Sequence, residues 1–535
     1  MFPLYLPAPT VQVYQGAVTP APWTPTLLVY QGAVTPAPWT PTLQVYQGAV
    51  TPAPWTPTLL AQAPPATEKN PWVELLVGSG KPFPSCHFYV FGATGDLVSK
   101  RAVREALVQL AETHSLEGSK NPFVLLGLQT VPAGPYLAAF RTGDAESKTI
   151  SEEGFEAFKR LTRLETPQAH IIGVNVKEVP DYKKLAPELG KDNAVFYGAL
   201  PPKLYGSFLD NLRLSGLSQQ PDGGFRRILL EKPFGNESAD ARALNEKLIQ
   251  DFKPGQVLLV DHFLAYPGMT NMLSFRSDPV VDEALSSKYV EKFDIKVLES
   301  IKSNDRPYFR DTGLVKDMVQ NHAIQVFSTM ACDLPEQEYG DALRAQREQV
   351  IKNIEVDEAS CRRGQFEGFN DPAQGSPPGL PPSQAETYVS FRFKVKCARW
   401  SEVPFRLVNA KGVDQKRSGV DIYLRALPEK LASRWSVAAN QPAVIHTTMN
   451  PVARIWVDFP TTKKSLEVPY DTRVPDRPPY ATLFCQAIRG ETAIFATPAE
   501  SLAAWRVADQ LTAVLQKHPL ISYRAGVSID QIDDR

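Results

Sequence analysis

The sequence predicts an α/β domain of the Rossmann type followed by an α+β domain with a large, mainly antiparallel sheet. Over residues 81–260, strand-like apolar runs alternate with amphipathic, helix-like stretches. After Asp261 this alternation ends, and runs appear in which every second residue is apolar. Strands that alternate with helices are typical of a parallel, doubly wound sheet, whereas period-two runs are typical of half-buried antiparallel strands.

The first domain, over 81–260, is predicted to contain six strands with helices between them. The runs that predict strands are 87–91, 123–128, 170–174, 194–199, 227–230 and 257–260. The stretches that predict helices are 101–112, 153–161, 202–214 and 238–251. This order favours parallel strands that are buried between two layers of helices.

The second domain, over 261–535, is predicted to combine a sheet with a few long helices. Its period-two runs are 290–298, 388–395, 420–424 and 454–458. Helices are expected at 316–329 and 498–516, and the polar, Pro/Gly-rich stretch 371–383 is expected to be a surface loop.

The chain begins with an unusual segment, and we treat residues 1–80 as a separate Pro-rich arm. Residues 1–67 contain no Asp, Glu, Lys or Arg, and one unit that holds three prolines occurs three times. The copies begin at Val13, Val29 and Val45. Because proline excludes helix interiors and central strands, we predict a disordered arm. The alternatives are docking through the repeated Trp23, Trp39 and Trp55, or organellar targeting.

Composition excludes several classes of function. The formal net charge is −1, which argues against a nucleic-acid or membrane-surface partner. The five cysteines show no CxxC spacing, so we expect a reduced, cytoplasmic protein without a disulfide framework or a metal site. No apolar run approaches the roughly 18–20 residues that a membrane-spanning helix needs.

Two motifs predict a ligand site at the carboxyl edge of the parallel sheet. The run 87–91 leads into a glycine turn and a helix start, which is how dinucleotide folds bind phosphate. The residues expected to bind the coenzyme there are Gly92, Thr94, Gly95, Asp96 and Leu97. The buried run 228–230 is followed by Glu231, Lys232 and Pro233. This order places a lysine at the same carboxyl edge of the sheet. Together the motifs indicate a nicotinamide-dependent oxidoreductase.

Three ordered segments make the chain similar to the glucose-6-phosphate dehydrogenase family. They read GATGDL at 92–97, EKPFG at 231–235 and DMVQNH at 317–322, and the fit extends over roughly 85–528. The resemblance implies oxidation of glucose 6-phosphate at C1 with NADP, or with NAD as the alternative coenzyme. It also implies a homodimer or tetramer formed through the large sheet.

The resemblance further implies roles for individual residues. His322 matches the family's base, Asp261 the acid that orients it, and Lys232 a lysine that contacts both sugar and coenzyme. Without the resemblance, a histidine in such a helix is more often a core or surface residue. The residues implied to bind the sugar phosphate are His262, Lys232, Glu299, Asp317, Lys411 and Tyr266.

The chain departs from the family at the phosphate-binding positions. The family reads Asp-His-Tyr-Leu-Gly-Lys where this chain has Phe263 and Tyr266 in place of the tyrosine and the lysine. Charge-assisted hydrogen bonds contribute roughly 1.5–3 kcal/mol each, so two lost contacts weaken binding by about two to three orders of magnitude. Thr130 stands where the family has the arginine that binds the 2′-phosphate of NADP, with Lys100 and Arg101 as nearby cations.

These departures leave two other functions open. The first is a catalytically impaired paralogue with a structural or regulatory role, which would form hetero-oligomers with an active paralogue. The second is an aldose dehydrogenase with an altered substrate. Fold alone does not decide among them, because function depends on the site.

Overall fold

Two sheets organise the computed structural model of this chain. The structure describes residues 56–60, 71–77, 83–112, 123–144, 147–166, 168–336, 339–469, 474 and 476–534. Residues 55–535 cluster as one compact unit. The first two repeats of the arm, and the third up to residue 55, lie outside the described residues.

The strands of the described chain fall into a seven-stranded and a ten-stranded sheet. They are β1 (Thr56–Leu60), β2 (His87–Phe91), β3 (Val124–Gly127), β4 (Val131–Pro132), β5 (His170–Gly173), β6 (Ala194–Gly198), β7 (Arg226–Glu231), β8 (Val257–Val260), β9 (Val290–Glu299), β10 (Ile354–Phe366), β11 (Tyr388–Val395), β12 (Phe405–Lys411), β13 (Arg417–Leu424), β14 (Ala443–Asn450), β15 (Arg454–Phe459), β16 (Lys464–Val468) and β17 (Leu520–Tyr523).

The helices of the described chain are mostly short. They are α1 (Pro71–Val77), α2 (Asp96–Ser99), α3 (Ala102–Glu112), α4 (Ala133–Thr142), α5 (Glu152–Leu161), α6 (Val179–Lys183), α7 (Ala186–Leu189), α8 (Tyr205–Leu214), α9 (Ser238–Asp251), α10 (Pro267–Arg276), α11 (Pro279–Ala284), α12 (Pro307–Leu314), α13 (Ile324–Ala331), α14 (Asp341–Lys352), α15 (Glu429–Arg434), α16 (Pro479–Arg489), α17 (Pro498–Leu515) and α18 (Ile529–Asp533). The segment Val315–Ala323 is a π-helix, and 3₁₀ turns cover Pro202–Leu204, His262–Ala265, Pro372–Gln374 and Ala398–Trp400. Among these described helices, none combines the length and the apolar character needed to span a membrane.

The seven-stranded sheet confirms the predicted parallel sheet. Its order is β4-β5-β3-β2-β6-β7-β8, and every pairing is parallel except that of β4 with β5. All six predicted strands are present. Their residues are apolar because the central strands are buried on both faces, as β2 and β6 are over their whole length. The unpredicted β4 has only two residues, which is too short to leave a pattern.

The ten-stranded sheet confirms the predicted, mainly antiparallel sheet. Its order is β1-β16-β15-β14-β13-β9-β12-β11-β10-β17, with six antiparallel pairings and three parallel ones. The predicted runs correspond to β9, β11, β13 and β15, and the sequence did not predict β10, β12, β14, β16 or β17. The residues of β10 are mostly charged or polar. One face of that strand is solvated, so few of its side chains are buried.

Helices from the end of the chain pack on the first sheet. α16 packs on α3, and α17 packs on α9. Trp505 Nε1 donates a 3.2 Å hydrogen bond to the carbonyl of Phe234, and Ala496 N donates to Leu259 O at 3.0 Å. The first sheet is therefore covered partly by residues of the second predicted domain. The boundary at 260/261 stays a prediction.

The predicted disorder of residues 1–80 is wrong for two segments. α1 is an ordered helix in which Trp72 is fully buried and donates from Nε1 to Thr270 O at 2.8 Å. Trp72, Val73 and Leu76 form its apolar face, a short signal that the neighbouring prolines obscure. The strand β1 pairs in parallel with β16 at the sheet edge, where prolines are tolerated.

Candidate active site

The candidate site lies where β7 and β8 end. Lys232 follows β7, and Asp261 follows β8, so both residues emerge at the carboxyl edge of the parallel sheet. This is the edge where open α/β sheets bind ligands. The π-helix Val315–Ala323 contacts the same edge, because Lys232 Nζ donates to the carbonyl of Asp317 at 3.2 Å.

His322 and Asp261 form a buried pair. His322 Nδ1 lies 2.6 Å from Asp261 Oδ1, and each residue is 1 % exposed. The same Asp261 oxygen accepts the amide of Phe263 at 3.0 Å, which fixes the carboxylate at the start of the turn His262–Ala265. The carboxylate accepts a hydrogen bond, so Nδ1 of His322 carries the proton and Nε2 keeps its lone pair.

The predicted helix at 316–329 is present, and it begins in π-helical geometry. Its first half is the π-helix, and only Ile324–Ala331 is α-helical. Five-residue spacing brings Asp317 and His322 toward one face, whereas in an α-helix they would point about 140° apart. The wider turn therefore places both predicted site residues at the sheet edge.

Burial and charge keep the imidazole of His322 neutral. Burial, followed by the positive charge of Lys232, lowers the pKa of His322 well below its usual 6.5. Burial also raises the pKa of Asp261. A neutral imidazole whose Nδ1–H is held by a carboxylate can accept a proton at Nε2, as a general base must.

Two lysines and two acids form a polar network beside this pair. Lys232 Nζ lies 3.6 Å from Asp317 Oδ1, and Lys411 Nζ lies 3.7 Å from Asp317 Oδ2 and pairs with Glu299. Burial alone would raise the pKa of Asp317, but the two lysines outweigh it and lower that pKa. Lys411 is 3 % exposed. The structure thus brings these four predicted substrate residues together.

Aromatic rings surround the other side of His322. The Phe263 ring stacks on the His322 ring with centroids 4.1 Å apart, and the His262 ring meets it edge-on at 4.6 Å. Tyr266 lies 5.9 Å from His262 between ring centroids. Burial lowers the pKa of His262 and raises that of Tyr266 to about 12, so the first is a neutral imidazole and the second a neutral phenol. Nδ1 of His262 is buried and makes no hydrogen bond.

The predicted coenzyme turn lies at the ends of β2 and β3. Gly92 has φ +83°, and a Cβ there would approach Ala199 O to 2.2 Å, so the tight turn requires glycine. Thr94, Gly95 and Asp96 are exposed. The amides of Asp96 and Leu97 start α2 and are not used by the helix itself. This turn therefore fits the pyrophosphate of a dinucleotide.

Thr130 lies at the predicted position beside that turn. It is exposed just after β3, and its Oγ1 accepts the amide of Gly173 at 3.2 Å. The hydroxyl can still donate one hydrogen bond. The cations nearest in sequence to the turn are engaged in ion pairs, Lys100 with Asp96 at 2.8 Å and Arg101 with Asp144 at 2.7 Å.

Glu231 is a site residue that sequence reasoning missed. Its carboxylate is buried and accepts hydrogen bonds from Tyr197 OH at 2.8 Å and Tyr480 OH at 3.2 Å. Its carbonyl accepts Tyr205 OH. Burial raises the pKa of Glu231 to about 7. The available signal was a carboxylate placed directly after the buried run 228–230, ahead of Lys232.

We expect Glu231→Gln to stabilise the protein at pH 8 and not at pH 4. The ordinary pKa of the carboxyl is 4.5, so between 4.5 and about 7 the folded state binds more protons than the unfolded state. Stability therefore falls as pH rises through this window, by about 3 kcal/mol. Denaturant unfolding of both proteins at pH 4, 6 and 8 measures the difference. An advantage of the variant that is constant with pH would contradict this assignment.

A cation could also be held near the catalytic pair. Asp261, His262 and His322 each offer one ligand atom, and these atoms lie within 4.8 Å of one another. A cation there would compete with the proton that His322 shares with Asp261. The arrangement is complete without an ion as a base and its orienting acid.

Two family models match almost the whole described chain. Residues 89–271 match "Glucose-6-phosphate dehydrogenase, NAD binding domain", and residues 273–531 match "Glucose-6-phosphate dehydrogenase, C-terminal domain". The two matches follow one another in the order that the sequence predicted.

Individual relatives agree with the family models. A glucose-6-phosphate 1-dehydrogenase of Gluconobacter oxydans is 26 % identical over 470 residues, which are 82 % of this chain and 93 % of the relative. A protein of that name from Streptococcus pneumoniae is 26 % identical over 464 residues, with 82 % and 92 % covered.

Solved structures share the fold. The crystal structure of glucose-6-phosphate 1-dehydrogenase from Mycobacterium avium has a TM-score of 0.67 and 25 % identity, with 83 % of this chain and 95 % of that chain covered. A glucose-6-phosphate dehydrogenase in complex with glucose 6-phosphate has a TM-score of 0.70 and 19 % identity, covers 85 % of this chain and 98 % of that one, and shows the fold alone. The predicted family, fold class and nicotinamide-dependent oxidoreductase class are confirmed. The chain belongs to the glucose-6-phosphate dehydrogenase family, whose NAD-binding domain it carries over residues 89–271.

Proposed function

We propose that this chain is a glucose-6-phosphate dehydrogenase, which oxidises glucose 6-phosphate at C1 to 6-phosphogluconolactone and reduces NADP. This is the first step of the oxidative pentose phosphate pathway. The observation that carries the proposal is the buried 2.6 Å pair of His322 and Asp261 at the sheet edge. The relatives named glucose-6-phosphate 1-dehydrogenase support the same substrate.

In this proposal His322 is the base that removes the proton of the C1 hydroxyl. The proton moves to Nε2, and the resulting imidazolium is stabilised by Asp261, which holds Nδ1–H at 2.6 Å. When bound, the nicotinamide coenzyme accepts the hydride that leaves C1. Lys232, which is 20 % exposed and held by Asp317, is placed to hydrogen-bond the sugar oxygen and the coenzyme.

Substrate binding in this proposal uses the polar network and the aromatic cluster. Asp317 and Glu299 accept hydrogen bonds from sugar hydroxyls, and Lys411 holds these two carboxylates in place. His262 offers its neutral imidazole, and Tyr266 offers a neutral phenol, to the phosphate. Neither group brings a fixed charge, so we expect weak phosphate binding.

The coenzyme turn supports binding of NADP or NAD. The exposed Thr94 and Gly95, with the amides that begin α2, fit a pyrophosphate, but Thr130 offers a 2′-phosphate only one neutral donor. We expect Thr130→Arg to tighten NADP binding about tenfold, because an arginine forms a bidentate, charge-assisted contact. Calorimetric titration of both coenzymes measures this, and NAD affinity serves as the internal control. An equal gain for NAD would argue against a 2′-phosphate site at residue 130.

A second candidate function is oxidation of an aldose without phosphate. The observation that favours it is the ring of Phe263, which stacks on His322 at 4.1 Å where the family's tyrosine would bring a hydroxyl. Tyr266, which carries no charge, also favours a substrate without phosphate. A catalytically impaired paralogue, acting in a hetero-oligomer, is the outcome if neither sugar is oxidised.

Steady-state reduction of NADP and NAD, with glucose 6-phosphate and with glucose, tests these functions. We expect turnover that prefers glucose 6-phosphate. Turnover with glucose alone would favour the aldose dehydrogenase. A folded protein that binds coenzyme but oxidises neither sugar would favour the paralogue.

Assembly and location complete the proposal. We propose a homodimer or tetramer that forms through the ten-stranded sheet, and a cytoplasmic location. The five cysteines form no disulfide with one another, which supports a reducing compartment. A sedimentation measurement that finds a monomer would contradict the proposed assembly.

A further inference from the structure

We propose that Glu231 is a positioning residue, which acts through Tyr480 to hold His262 in place for the phosphate of the substrate. The inference rests on the proposed function, since it assigns His262 to the sugar phosphate. It adds a residue for which the resemblance implied no role. Three contacts, taken in order from Glu231 to His262, support it.

The first contact anchors the carboxylate. Glu231 is the last residue of β7 and is 5 % exposed, and Tyr197 OH, from β6, donates to its Oε1 at 2.8 Å. The hydroxyl of Tyr205, from α8, donates to the carbonyl of the same residue. Glu231 is therefore fixed by a neighbouring strand and by a helix, directly before Lys232.

The second contact joins Glu231 to Tyr480, which lies in the C-terminal part of the chain. Tyr480, at the start of α16, donates from its hydroxyl to Glu231 Oε2 at 3.2 Å and is 3 % exposed. These residues are 249 positions apart in sequence. The carboxylate thus links a helix of the second predicted domain to β7, the strand that Lys232 follows.

The third contact joins Tyr480 to His262 in the candidate site. The Tyr480 ring stacks on the His262 ring at an interplanar angle of 20°, with centroids 5.7 Å apart. Nδ1 of His262 makes no hydrogen bond. Ring packing against Tyr480, Phe263, Tyr266 and His322 therefore orients this imidazole. A shift of the Tyr480 ring would change where His262 presents its nitrogen.

The ionisation state of Glu231 should also affect how firmly His262 is held. The groups that face its carboxylate are Tyr197, Tyr480, Lys232 and Asp261. When ionised, both oxygens accept a tyrosine hydroxyl. When protonated, one oxygen carries a hydrogen and accepts more weakly, so one of the two tyrosine hydrogen bonds is weakened. We therefore expect His262 to be held best above a pH of about 7, where Glu231 is ionised.

Two tyrosine variants give a matched test. Tyr480→Phe and Tyr197→Phe each remove one hydroxyl from the same carboxylate, but only the Tyr480 ring contacts His262 among these two. We expect Tyr480→Phe to raise KM for glucose 6-phosphate about three- to tenfold with kcat within twofold. Tyr197→Phe loosens the carboxylate but keeps the hydrogen bond of Tyr480, so it should raise KM by clearly less than Tyr480→Phe does. Equal effects of the two variants would overturn the proposal.

Glu231→Gln supplies the second readout, because it keeps the size of the side chain and removes the ionisation. In the wild type, kcat/KM for glucose 6-phosphate should rise with pH through about 7, and the variant should lose that rise. A profile that is unchanged in Glu231→Gln would overturn the pH-dependent part. Thermal midpoints of all three variants establish that each is folded.

The outcomes separate this inference from the proposed function. If the wild type does not turn over, calorimetric Kd values for glucose 6-phosphate replace KM in the same comparison. Weaker binding by Tyr480→Phe alone would then support the positioning role while the dehydrogenase activity fails. A wild type that does not bind glucose 6-phosphate would overturn both.

Discussion

His322→Ala is expected to lower kcat by about 10²–10⁴-fold, because general base catalysis contributes an effect of that size. The variant removes the Nε2 that accepts the proton of the C1 hydroxyl and leaves Asp261 without its partner. Coenzyme affinity should stay within twofold, since the glycine turn at 92–97 is unchanged. Steady-state kinetics with NADP, together with a coenzyme titration, measure both quantities.

His446 offers a matched control for that variant. It too is held by a carboxylate, with Nδ1 at 2.7 Å from Asp421, and it lies on β14 against Trp456. We expect His446→Ala to lower stability and to leave kcat within twofold. If His322→Ala kept kcat near that of the wild type, the assignment of His322 as the base would be wrong.

The pH dependence follows from the environment of His322. Burial and Lys232 lower its pKa well below 6.5, and the base acts in its neutral form. We therefore expect kcat itself to remain high as the pH falls from 8 to 6.5 and to decline only below that range. The rise of kcat/KM near pH 7 that we assign to Glu231 is a separate effect on substrate binding.

Tyr266→Lys is expected to raise kcat/KM for glucose 6-phosphate by about 10–150-fold. A lysine at this position would add a charge-assisted hydrogen bond to the phosphate, worth roughly 1.5–3 kcal/mol. Tyr266 lies beside His262, so the new ammonium would approach the group that we assign to the phosphate. Steady-state kinetics with saturating NADP measure the change.

Glucose serves as the control substrate for Tyr266→Lys. It has no phosphate, so its kcat/KM should stay within threefold. Tyr266→Phe, which removes the neutral donor and keeps the ring, should change phosphate binding in the opposite direction. If the lysine variant gained equally with both sugars, or with neither, the phosphate would not bind at residue 266.

Sequence patterns predicted the two sheets because buried strand positions are occupied mainly by apolar residues. β2, β6, β7 and β8 are apolar where they are covered on both faces, and the alternating runs mark strands covered on one face. β10 escaped prediction because little of it is buried. Residue types alone also do not distinguish a π-helix from an α-helix. The pattern at 315–323 therefore predicted a helix but not its spacing around His322.

The site residues also divide into those that local sequence motifs identify and those that depend on contacts between distant positions. Asp261, Lys232 and His322 were identified from motifs that end strands or match the family. Glu231 was visible as a carboxylate at the end of a buried strand, but its link to Tyr480 joins positions 249 apart. Contacts of that kind depend on how α16 packs, which the local pattern does not encode. Trp72 was missed for the same reason, since its partner is Thr270.

The most direct test of the proposed chemistry is a single turnover with glucose 6-phosphate deuterated at C1. We expect the wild type to transfer the label to C4 of the nicotinamide, and His322→Ala to transfer at least 100-fold more slowly while binding both ligands. A folded wild type that binds both ligands and leaves the label on the sugar would contradict the proposal that this chain oxidises C1 of glucose 6-phosphate.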